Sequence, residues 1–444
     1  MKQIKHLFIP LSIIGLLLLN SCLSSSVTNY SDDARVYSFS LKSDSVPALA
    51  KAVFTVDQTN NIIYNVDSLP FNTKQYGKYR AIPVISTYSS AAMFFNDTTY
   101  TSGDSIDFRR SQTFKNYAQN GVAYKTYKVD VRVHKVQPDS ISWQKRTYPS
   151  YSYSETDQKT VYCNNQVMLF VNDGSTVHLF NTTRALTWSA DASTNLPAAV
   201  SLQNIAVLNN VLYVVKDAQT VLSSSDGITW TSVTVSSANQ LNSLICAYDS
   251  KLFAITHDSG NIYYVSTSSD GKTWTNLYAV PTDFPVSNYA ATAFTPPTGT
   301  TKLLIVGGIN SIGSVVNSVY SYMTNSNWIN FITELGKGTF LPRKDAAIIW
   351  YDNKALLIGG TLTDGSLVKD TISCSRTEGL LWTTSDTLTA FPTTLNYKLR
   401  TKTSLVMDKE YRLFVVGGKD ANGNFLKEAW VGRKNKLGFG LPAM

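Results

Sequence analysis

Residues 351–382, YDNKALLIGGTLTDGSLVKDTISCSRTEGLLW, decide how this chain is expected to fold. The stretch holds a polar turn, an apolar run that ends in Gly359-Gly360, a second turn, a second strand-like run and Trp382. Short apolar runs separated by turn residues indicate a small antiparallel sheet. Because related versions recur along the last two-thirds of the chain, we interpret the stretch as one repeat of a larger β architecture.

Two series of markers give the count of these repeats. Tryptophans spaced 42–54 residues apart stand at Trp143, Trp188, Trp230, Trp274, Trp328 and Trp382. Polar turns that precede apolar runs, one after each tryptophan, stand at Asn164-Asn165, Asn209-Asn210, Asp249-Ser250, Thr298-Gly299, Asp352-Asn353 and Asp408-Lys409. A period of about 40–50 residues is typical of four-stranded propeller blades. The two series therefore predict a six-bladed β-propeller, with five or seven blades as the alternatives.

Three of the apolar runs end in a double glycine, at 307–308, 359–360 and 417–418. A further strand-like run follows each pair. This pattern resembles the kelch repeat, and the resemblance covers about residues 284–432. Glycine at these points allows the crowded backbones near a propeller axis to approach closely.

The earlier repeats lack the double glycine and end differently. Residues 224–230 read SSDGITW and residues 268–274 read SSDGKTW. These segments resemble the Asp-box hairpin of sialidase-type propellers, and residues 181–188 resemble a degenerate copy. The resemblance implies a structural hairpin with a packed tryptophan, since the Asp box of that family lies away from the catalytic site.

The end of the chain predicts how the propeller closes. After Trp382 only three strand candidates are recognisable, so the fourth strand of the last blade is expected from residues 141–143. Such closure joins the two ends of the domain and removes exposed sheet edges. The predicted fold class is all-β: a small β-sandwich followed by a six-bladed propeller, residues 140–444, closed by an N-terminal strand.

Residues 33–139 predict the separate β-sandwich. About seven short strand-like runs are separated by turn residues, which is typical of an immunoglobulin-like domain. In residues 127–133, YKVDVRV, apolar and polar side chains alternate strictly, as expected of a half-buried strand. The domain lacks the Cys…Trp…Cys set of antibody domains, so the prediction depends on the strand pattern alone.

The N-terminus predicts a membrane anchor. Residues 1–21 combine Lys2 and Lys5 with an apolar run at 7–19, which indicates a signal peptide. The run ends in Leu-Asn-Ser before Cys22, which resembles a bacterial lipobox. The resemblance implies lipidation of Cys22, a tether over residues 22–32 and attachment to the outer membrane, with either face open.

Charge and cysteine content exclude several function classes. The net charge is +8, of which the signal segment contributes two, and no Lys/Arg cluster suits nucleic acid. Cys163, Cys246 and Cys374 lie in apolar runs and are expected to be buried free thiols. No Cys/His spacing suggests a metal site, and we predict no cofactor.

The candidate ligand site combines basic and aromatic residues that precede innermost strands. These residues are Arg343, Lys344, Arg400, Lys402 and Tyr289. In a propeller the beginnings of the innermost strands surround one opening of the central channel. Arginine, lysine and tyrosine converging there would suit a ligand that carries a carboxylate or a sugar.

No convincing catalytic set is visible. The copper site of galactose oxidase, a kelch-type enzyme, needs a Tyr–Cys cross-link and two histidines, and the double-glycine repeats contain no histidine. Nearly the whole chain resembles Bacteroidales-type lipoproteins with an immunoglobulin-like domain and a kelch or galactose-oxidase-like propeller, which implies architecture rather than chemistry. We predict a non-catalytic envelope module that binds a glycan, a peptide or another envelope protein. The alternative is a carbohydrate-active enzyme, a lyase, epimerase or hydrolase of acidic sugars, with Asp345 as its nearest carboxylate.

Overall fold

The computed structural model describes residues 28–71, 80–331, 339–369, 372–383 and 387–436. The described chain is nearly all β and divides after Gln137 into two compact units. The predicted signal peptide, Cys22 and most of the predicted tether lie outside the described residues. No helix among the described residues is long and apolar enough to cross a membrane.

Among its described residues, the first unit contains two sheets and one short helix. Its elements are β1 (Val36–Lys42), α1 (Pro47–Ala50), β2 (Phe54–Asp57), β3 (Ile62–Asn65), β4 (Arg80–Thr87), β5 (Ser90–Phe95), β6 (Thr98–Thr99), β7 (Ile106–Asp107), β8 (Gln112–Ala118) and β9 (Tyr124–Asp130). One sheet has the order β1-β4-β7 and the other the order β2-β3-β9-β8-β5-β6. Side chains from both sheets, including Phe39, Phe95 and Phe114, share one core.

The alternating stretch in this unit behaves as its pattern predicts. Tyr127 and Val129 on β9 are buried, whereas Lys128 between them is exposed. Beyond the end of β9, Val131 is also buried. A strand with one apolar face must turn that face to the core, so the period of two fixes the orientation of β9.

The second unit contains six larger sheets among its described residues. The first sheet combines β10 (Ile141–Arg146) with β34 (Ser404–Met407), β35 (Leu413–Val416) and β36 (Ala429–Lys434), and the second contains β11 (Asp157–Cys163), β12 (Gln166–Asn172), β13 (Val177–Thr182) and β14 (Ala192–Ser193). The third sheet contains β15 (Ala206–Leu208), β16 (Val211–Asp217), β17 (Thr220–Ser224) and β18 (Thr231–Thr234), and the fourth contains β19 (Gln240–Tyr248), β20 (Lys251–His257), β21 (Tyr263–Ser268) and β22 (Thr275–Ala279). The fifth sheet contains β24 (Ala290–Phe294), β25 (Lys302–Val306), β27 (Val319–Tyr322) and β28 (Ile329–Asn330), and the sixth contains β30 (Ala347–Tyr351), β31 (Lys354–Ile358) and β33 (Ser373–Ser375).

Shorter elements lie between these sheets. Two-stranded ladders join β23 (Pro285–Ser287) to β26 (Ile309–Asn310) and β29 (Arg343–Lys344) to β32 (Thr361–Leu362). Single 3-10 turns occur at Leu202–Asn204 and Thr393–Leu395. Both ladders link a segment that precedes an inner strand to residues just after a double glycine.

One edge strand of each large sheet contacts the corresponding strands of the two neighbouring sheets. These inner strands are β11, β15, β19, β24, β30 and β34, and each contacts the next in that order. The last of them, β34, also contacts β11. The inner strands therefore follow one another around a ring.

The sheet that contains β34 combines both ends of the unit. Strand β10 pairs with β36 in antiparallel register, from Ile141 opposite Lys434 to Arg146 opposite Ala429. Trp143 on β10 is buried and donates from Nε1 to the Thr389 carbonyl at 3.0 Å. Residues about 290 positions apart in the chain are thereby held in one sheet.

Four of the six polar turns predicted from the sequence have the backbone of tight two-residue hairpins, whereas Thr298-Gly299 and Asp408-Lys409 do not. Both residues have positive φ at Asn164-Asn165, at Asn209-Asn210, at Asp249-Ser250 and at Asp352-Asn353. Two consecutive left-handed residues match the twist of the flanking strands in a two-residue hairpin. Asn and Asp tolerate this conformation better than most residues, which explains their repeated use.

A second hairpin repeats at the outer side of the sheets. Trp230 and Trp274 donate from Nε1 to the carbonyls of Gly227 and Gly271, both at 3.0 Å. Trp382 makes the equivalent bond to the Gly379 carbonyl at 2.9 Å. The Asp-box-like repeats and the double-glycine repeat of residues 351–382 therefore share one way of fixing the tryptophan, a likeness that the sequence motifs did not reveal.

Candidate functional site

A central channel of about 590 Å³ is the candidate site of the second unit. All six inner strands, or the residues just before them, contribute to its lining. We define the channel mouth by one residue from the beginning of each inner strand: Lys159, Gln203, Asn242, Asn288, Asp345 and Lys402. At the other end the lining is mostly apolar, with Val207, Ala293 and Ile349. The channel is therefore polar at one end and mostly apolar at the other.

Hydrogen bonds between neighbouring segments hold one side of the mouth together. The Asp345 amide donates to the Asn288 carbonyl at 2.9 Å, and the Lys402 amide donates to the Asp345 carbonyl at 2.9 Å. Asn288 Nδ2 also donates to Asp345 Oδ1 at 2.7 Å. Asn288, Asp345 and Lys402 all have positive φ, so these three positions are structural equivalents.

The double glycines fill the space directly behind this part of the mouth. A Cβ on Gly308 would lie 2.7 Å from the Ser287 carbonyl oxygen, and one on Gly307 would lie 2.6 Å from the Arg343 carbonyl oxygen. The Gly308 amide donates to that Arg343 carbonyl at 2.8 Å. Side chains are excluded because one glycine contacts its own sheet and the other contacts the next sheet.

Arg343 and Arg400 do not lie at an open rim, where the sequence predicted them. Their exposed fractions are 2% and 1%, so both side chains are inside the protein. Arg400 donates from Nη1 to the Gly417 carbonyl at 2.9 Å and from Nε to the Lys398 carbonyl at 3.0 Å. Arg343 approaches the Gly359 carbonyl in the same way, with Nη1 at 3.4 Å. Each guanidinium thus donates to the carbonyl of the first glycine in its own sheet. This common role explains why both arginines stand at equivalent positions before an inner strand.

Arg400 also belongs to a buried ionic cluster. Its Nη2 donates to Glu428 Oε2 at 2.7 Å, while Lys145 Nζ on β10 donates to Glu428 Oε1 at 2.6 Å. Burial raises the pKa of Glu428, but the bonds from Lys145 and Arg400 outweigh it and hold the pKa below its usual range. The cluster connects β10 to the residues that precede β36.

Two of the five predicted ligand residues line the channel. Lys402 is half-buried at the mouth. Tyr289 lines the channel wall, where its hydroxyl lies 2.8 Å from Ser243 Oγ, and burial strongly raises the pKa of this phenol. Lys344 is half-buried on β29 and is not part of the lining.

Sequence reasoning missed Lys159, which lies at the beginning of β11 and lines the mouth. Its ammonium group has no hydrogen-bond or ion-pair partner among the described residues. Burial lowers the pKa of Lys159, partly opposed by the charge of Asp157. The signal that could have found this residue is its position: it stands five residues before the Asn164-Asn165 turn, at the start of the run that the turn ends.

Apart from Cys246, the remaining candidate chemistry lies outside the channel. His178 is placed between two carboxylates, with Nδ1 2.9 Å from Asp191 and Nε2 3.3 Å from Asp173. Among the described residues, no three His, Cys, Asp or Glu side chains form a group that could hold a metal ion. Cys163 and Cys374 are buried and Cys246 is half-buried, all as free thiols.

Comparison with known proteins places this architecture in a family. Residues 137–442 match the model of the DUF6242 β-propeller domain, and residues 25–131 match the DUF6242 N-terminal domain, a domain of unknown function. The chain belongs to the DUF6242 family. Every residue that lines the channel lies within the DUF6242 β-propeller domain. The match confirms the β-propeller that the sequence predicted.

Two further comparisons add little to the family assignment. Among solved structures, the chain is similar to YjhT at 11% sequence identity and a TM-score of 0.48, over 66% of this chain and 98% of that one. The search of curated proteins found no match.

Proposed function

We propose that this DUF6242 protein is an envelope binding module that takes a small acidic ligand, such as a uronic acid or an acidic glycan end, at the channel mouth. The observation that carries the proposal is the pair of lysine side chains there. Lys159 and Lys402 both line the channel, and neither Nζ has a hydrogen-bond or ion-pair partner among the described residues. A lysine side chain without an ion-pair partner favours a ligand that brings its own carboxylate.

The neighbouring groups support the same ligand class. Lys159 lies near the beginning of β11 and Lys402 precedes β34. These two inner strands are adjacent, since the Thr160 amide on β11 donates to Ser404 Oγ on β34 at 2.8 Å. Asp345, the carboxylate nearest in the mouth, is already bonded by Asn288. Asn242 and Gln203 add amide oxygens that can accept hydrogen bonds from sugar hydroxyls.

The finer architecture belongs to the proposal as well. The six sheets would be the blades of a six-bladed propeller, closed by β10 pairing with β36. The first unit would be an immunoglobulin-like sandwich, and the double-glycine sheets would be kelch-like blades. The ring of inner strands and the two sheets around one core support these assignments.

Attachment to the outer membrane through Cys22 completes the proposed role. It rests on the lipobox-like sequence alone. A Cys22→Ser variant should lose incorporation of radiolabelled palmitate and move from the membrane fraction to the soluble fraction. If Cys22→Ser stays in the membrane fraction and keeps its label, the anchor proposal is wrong.

Calorimetric titration of the purified protein, residues 23–444, tests the ligand proposal. The probes are galacturonate and glucuronate, with galactose as the neutral comparison. We expect both acids to bind and galactose to bind at least about tenfold more weakly, since a charge-assisted bond contributes about 1.5–3 kcal/mol.

Three variants localise the binding. Lys159→Gln and Lys402→Gln should each weaken binding of the acids about tenfold or more. Lys344→Gln is the matched control, because Lys344 is half-buried but does not line the channel. Equal affinities for all three variants and the unmodified protein would show that the mouth is not the site.

A carbohydrate-active enzyme is the second candidate, favoured by Asp345 and Tyr289 in the same channel as the two lysines. A carboxylate could serve as a general base beside a cation that stabilises an acidic sugar. Incubation with oligogalacturonides, followed by chromatography, would reveal cleavage or epimerisation. Asp345→Asn should abolish any such turnover.

A further inference from the structure

We propose that Lys159 is a reactive amine that forms an imine with an aldehyde or ketone group of a ligand, one that carries a carboxylate beside its carbonyl. This inference rests on the proposed acid-binding function and adds the chemistry of the second ligand group. It assigns different tasks to the two lysines of the mouth. Lys402 would bind the carboxylate, and Lys159 would take the carbonyl carbon.

The immediate surroundings of Lys159 leave its amine available. The closest acidic residue in sequence, Asp157, has its carboxylate bonded by three other donors. Its Oδ2 accepts from the Leu202 amide at 2.9 Å, and its Oδ1 accepts from Gln203 Nε2 at 2.9 Å and from the Gln158 amide at 2.9 Å. Asp157 is therefore turned toward backbone and amide donors and makes no ion pair with Lys159.

The channel also disfavours the ammonium form of Lys159. The titratable groups that line the same channel are Lys402, Asp345, Tyr162, Tyr289 and Cys246. Of these, only Asp345 is ordinarily anionic at neutral pH, and Asn288 bonds its Oδ1. Burial lowers the pKa of Lys159 and raises those of Tyr289 and Cys246, so the wall favours neutral groups.

These two properties are what carbonyl addition requires. A neutral amine with a free lone pair can attack a carbonyl carbon, whereas an ammonium group cannot. The nitrogen forms a bond to carbon, and the carbonyl oxygen then leaves as water with the two hydrogens of the amine. The net change is one amine and one carbonyl to one imine and one water, with no oxidant or reductant.

Lys402 explains why the ligand should also carry a carboxylate. It precedes the inner strand next to that of Lys159, and its ammonium group has no partner among the described residues. A carboxylate held there would direct an adjacent carbonyl to the neighbouring lysine. Electrostatic positioning of this kind raises the local concentration of the reacting group.

Reductive trapping of the full mature chain tests the proposal. Glyoxylate is the probe because it combines an aldehyde and a carboxylate in the smallest molecule. The protein is incubated with glyoxylate and cyanoborohydride, which reduces an imine to a stable secondary amine, and digested peptides are analysed by mass spectrometry. We expect the adduct on Lys159 at several times the occupancy found on Lys344, because Lys159 lines the channel beside the carboxylate-binding Lys402 and Lys344 does not.

Controls separate this proposal from acid binding. Lys159→Arg removes the nucleophilic amine and should lose the adduct, and binding of galacturonate by the unmodified protein is measured in parallel. Lys402→Gln should reduce trapping at Lys159, and acetaldehyde, which lacks a carboxylate, should label Lys159 much less.

Three outcomes decide the matter. Preferential trapping at Lys159 supports the inference. Equal labelling of Lys159 and Lys344, together with lysine-dependent binding of galacturonate, would overturn imine formation and leave the proposed function standing. Equal labelling without any binding of acids would overturn both.

Discussion

The buried cluster of Lys145, Glu428 and Arg400 gives the sharpest test of what stabilises the second unit. The Glu428 carboxylate accepts from Lys145 Nζ at 2.6 Å, from Arg400 Nη2 at 2.7 Å and from Trp430 Nε1 at 3.3 Å. A Glu428→Gln substitution keeps the shape of the side chain but removes its charge. We expect it to destabilise the protein, because Arg400 is left as a buried cation without an anion.

The size of the effect follows from what Arg400 retains. Breaking a buried ion pair by removing one partner costs about 3–5 kcal/mol. Arg400 keeps its bonds to the carbonyls of Gly417 and Lys398 in the variant. These neutral partners compensate part of the loss, so we expect a decrease of about 3 kcal/mol in the free energy of unfolding.

The pH dependence gives a second signature. The folded-state pKa of Glu428 lies below the ordinary value of 4.5, so folding favours the charged carboxylate. Its stabilisation is therefore complete above pH 4.5 and is lost as the pH falls through the folded-state pKa. The difference between the unmodified protein and Glu428→Gln should be constant from neutral pH to about pH 5 and should shrink at lower pH.

Urea denaturation followed by tryptophan fluorescence measures both effects. The matched control is Glu410→Gln, which removes a half-exposed carboxylate 3.2 Å from Arg412. Arg412 keeps its bond from Nε to Asp408 Oδ2 at 2.6 Å in this variant, so the control should lose no more than about 1 kcal/mol. If Glu428→Gln costs no more than Glu410→Gln, the buried cluster does not hold β10 in its sheet in the way that the contacts indicate.

Three further substitutions test other parts of the second unit. Gly307→Ala should lower the free energy of unfolding in urea by about 2 kcal/mol more than Gly313→Ala, because both glycines have positive φ but only Gly307 faces a carbonyl, that of Arg343, at 2.6 Å. Glu155→Gln should stabilise the protein by about 1 kcal/mol at pH 8 and not at all below pH 4.5. Burial raises the pKa of Glu155 and its Oε2 lacks a hydrogen-bond partner, so the charged carboxylate is disfavoured in the folded protein. The same effect of the substitution at both pH values would contradict this. Lys402→Asn should raise the thermal midpoint slightly, since about 0.5 kcal/mol of strain is relieved at φ 53°, while binding of galacturonate falls.

The repeat pattern could be predicted from the sequence because its markers are local. A two-residue hairpin needs consecutive left-handed residues, and Asn or Asp supplies them wherever the turn occurs. Asn209 and Asn210 show this directly, with φ of 51° and 61°. Alternation in residues 127–133 is similarly local, since a period of two decides which face of a strand is buried.

The site was predicted less well because it depends on contacts between sheets. Arg343 and Arg400 occupy equivalent positions before inner strands, and that equivalence was visible. The inward direction of their side chains was not visible, because it depends on buried carbonyl acceptors such as that of Gly417. A charged side chain in a loop is usually exposed, and packing against the double-glycine turn reverses that expectation in this protein.

Lys159 was missed because no sequence marker singles it out. Its sheet has no double glycine, so the marker that drew attention to Arg343 and Arg400 is absent there. In place of an arginine, Gln158 from this sheet contacts the last double glycine, with Nε2 donating to the Gly418 carbonyl at 3.2 Å. The residue that lines the channel is therefore the one after Gln158, and only the assembled ring shows this.

The three left-handed positions at the mouth connect stability to function. Asn288 and Asp345 suit positive φ, whereas lysine at the equivalent position 402 is conformationally costly. Nothing in the local backbone contacts requires lysine, because the bond to Asp345 uses only its main-chain amide. A strained residue that persists without a packing role is expected where its side chain serves a ligand. The strained backbone of Lys402 and the unpaired amine of Lys159 are independent observations. Both indicate a ligand at the channel mouth.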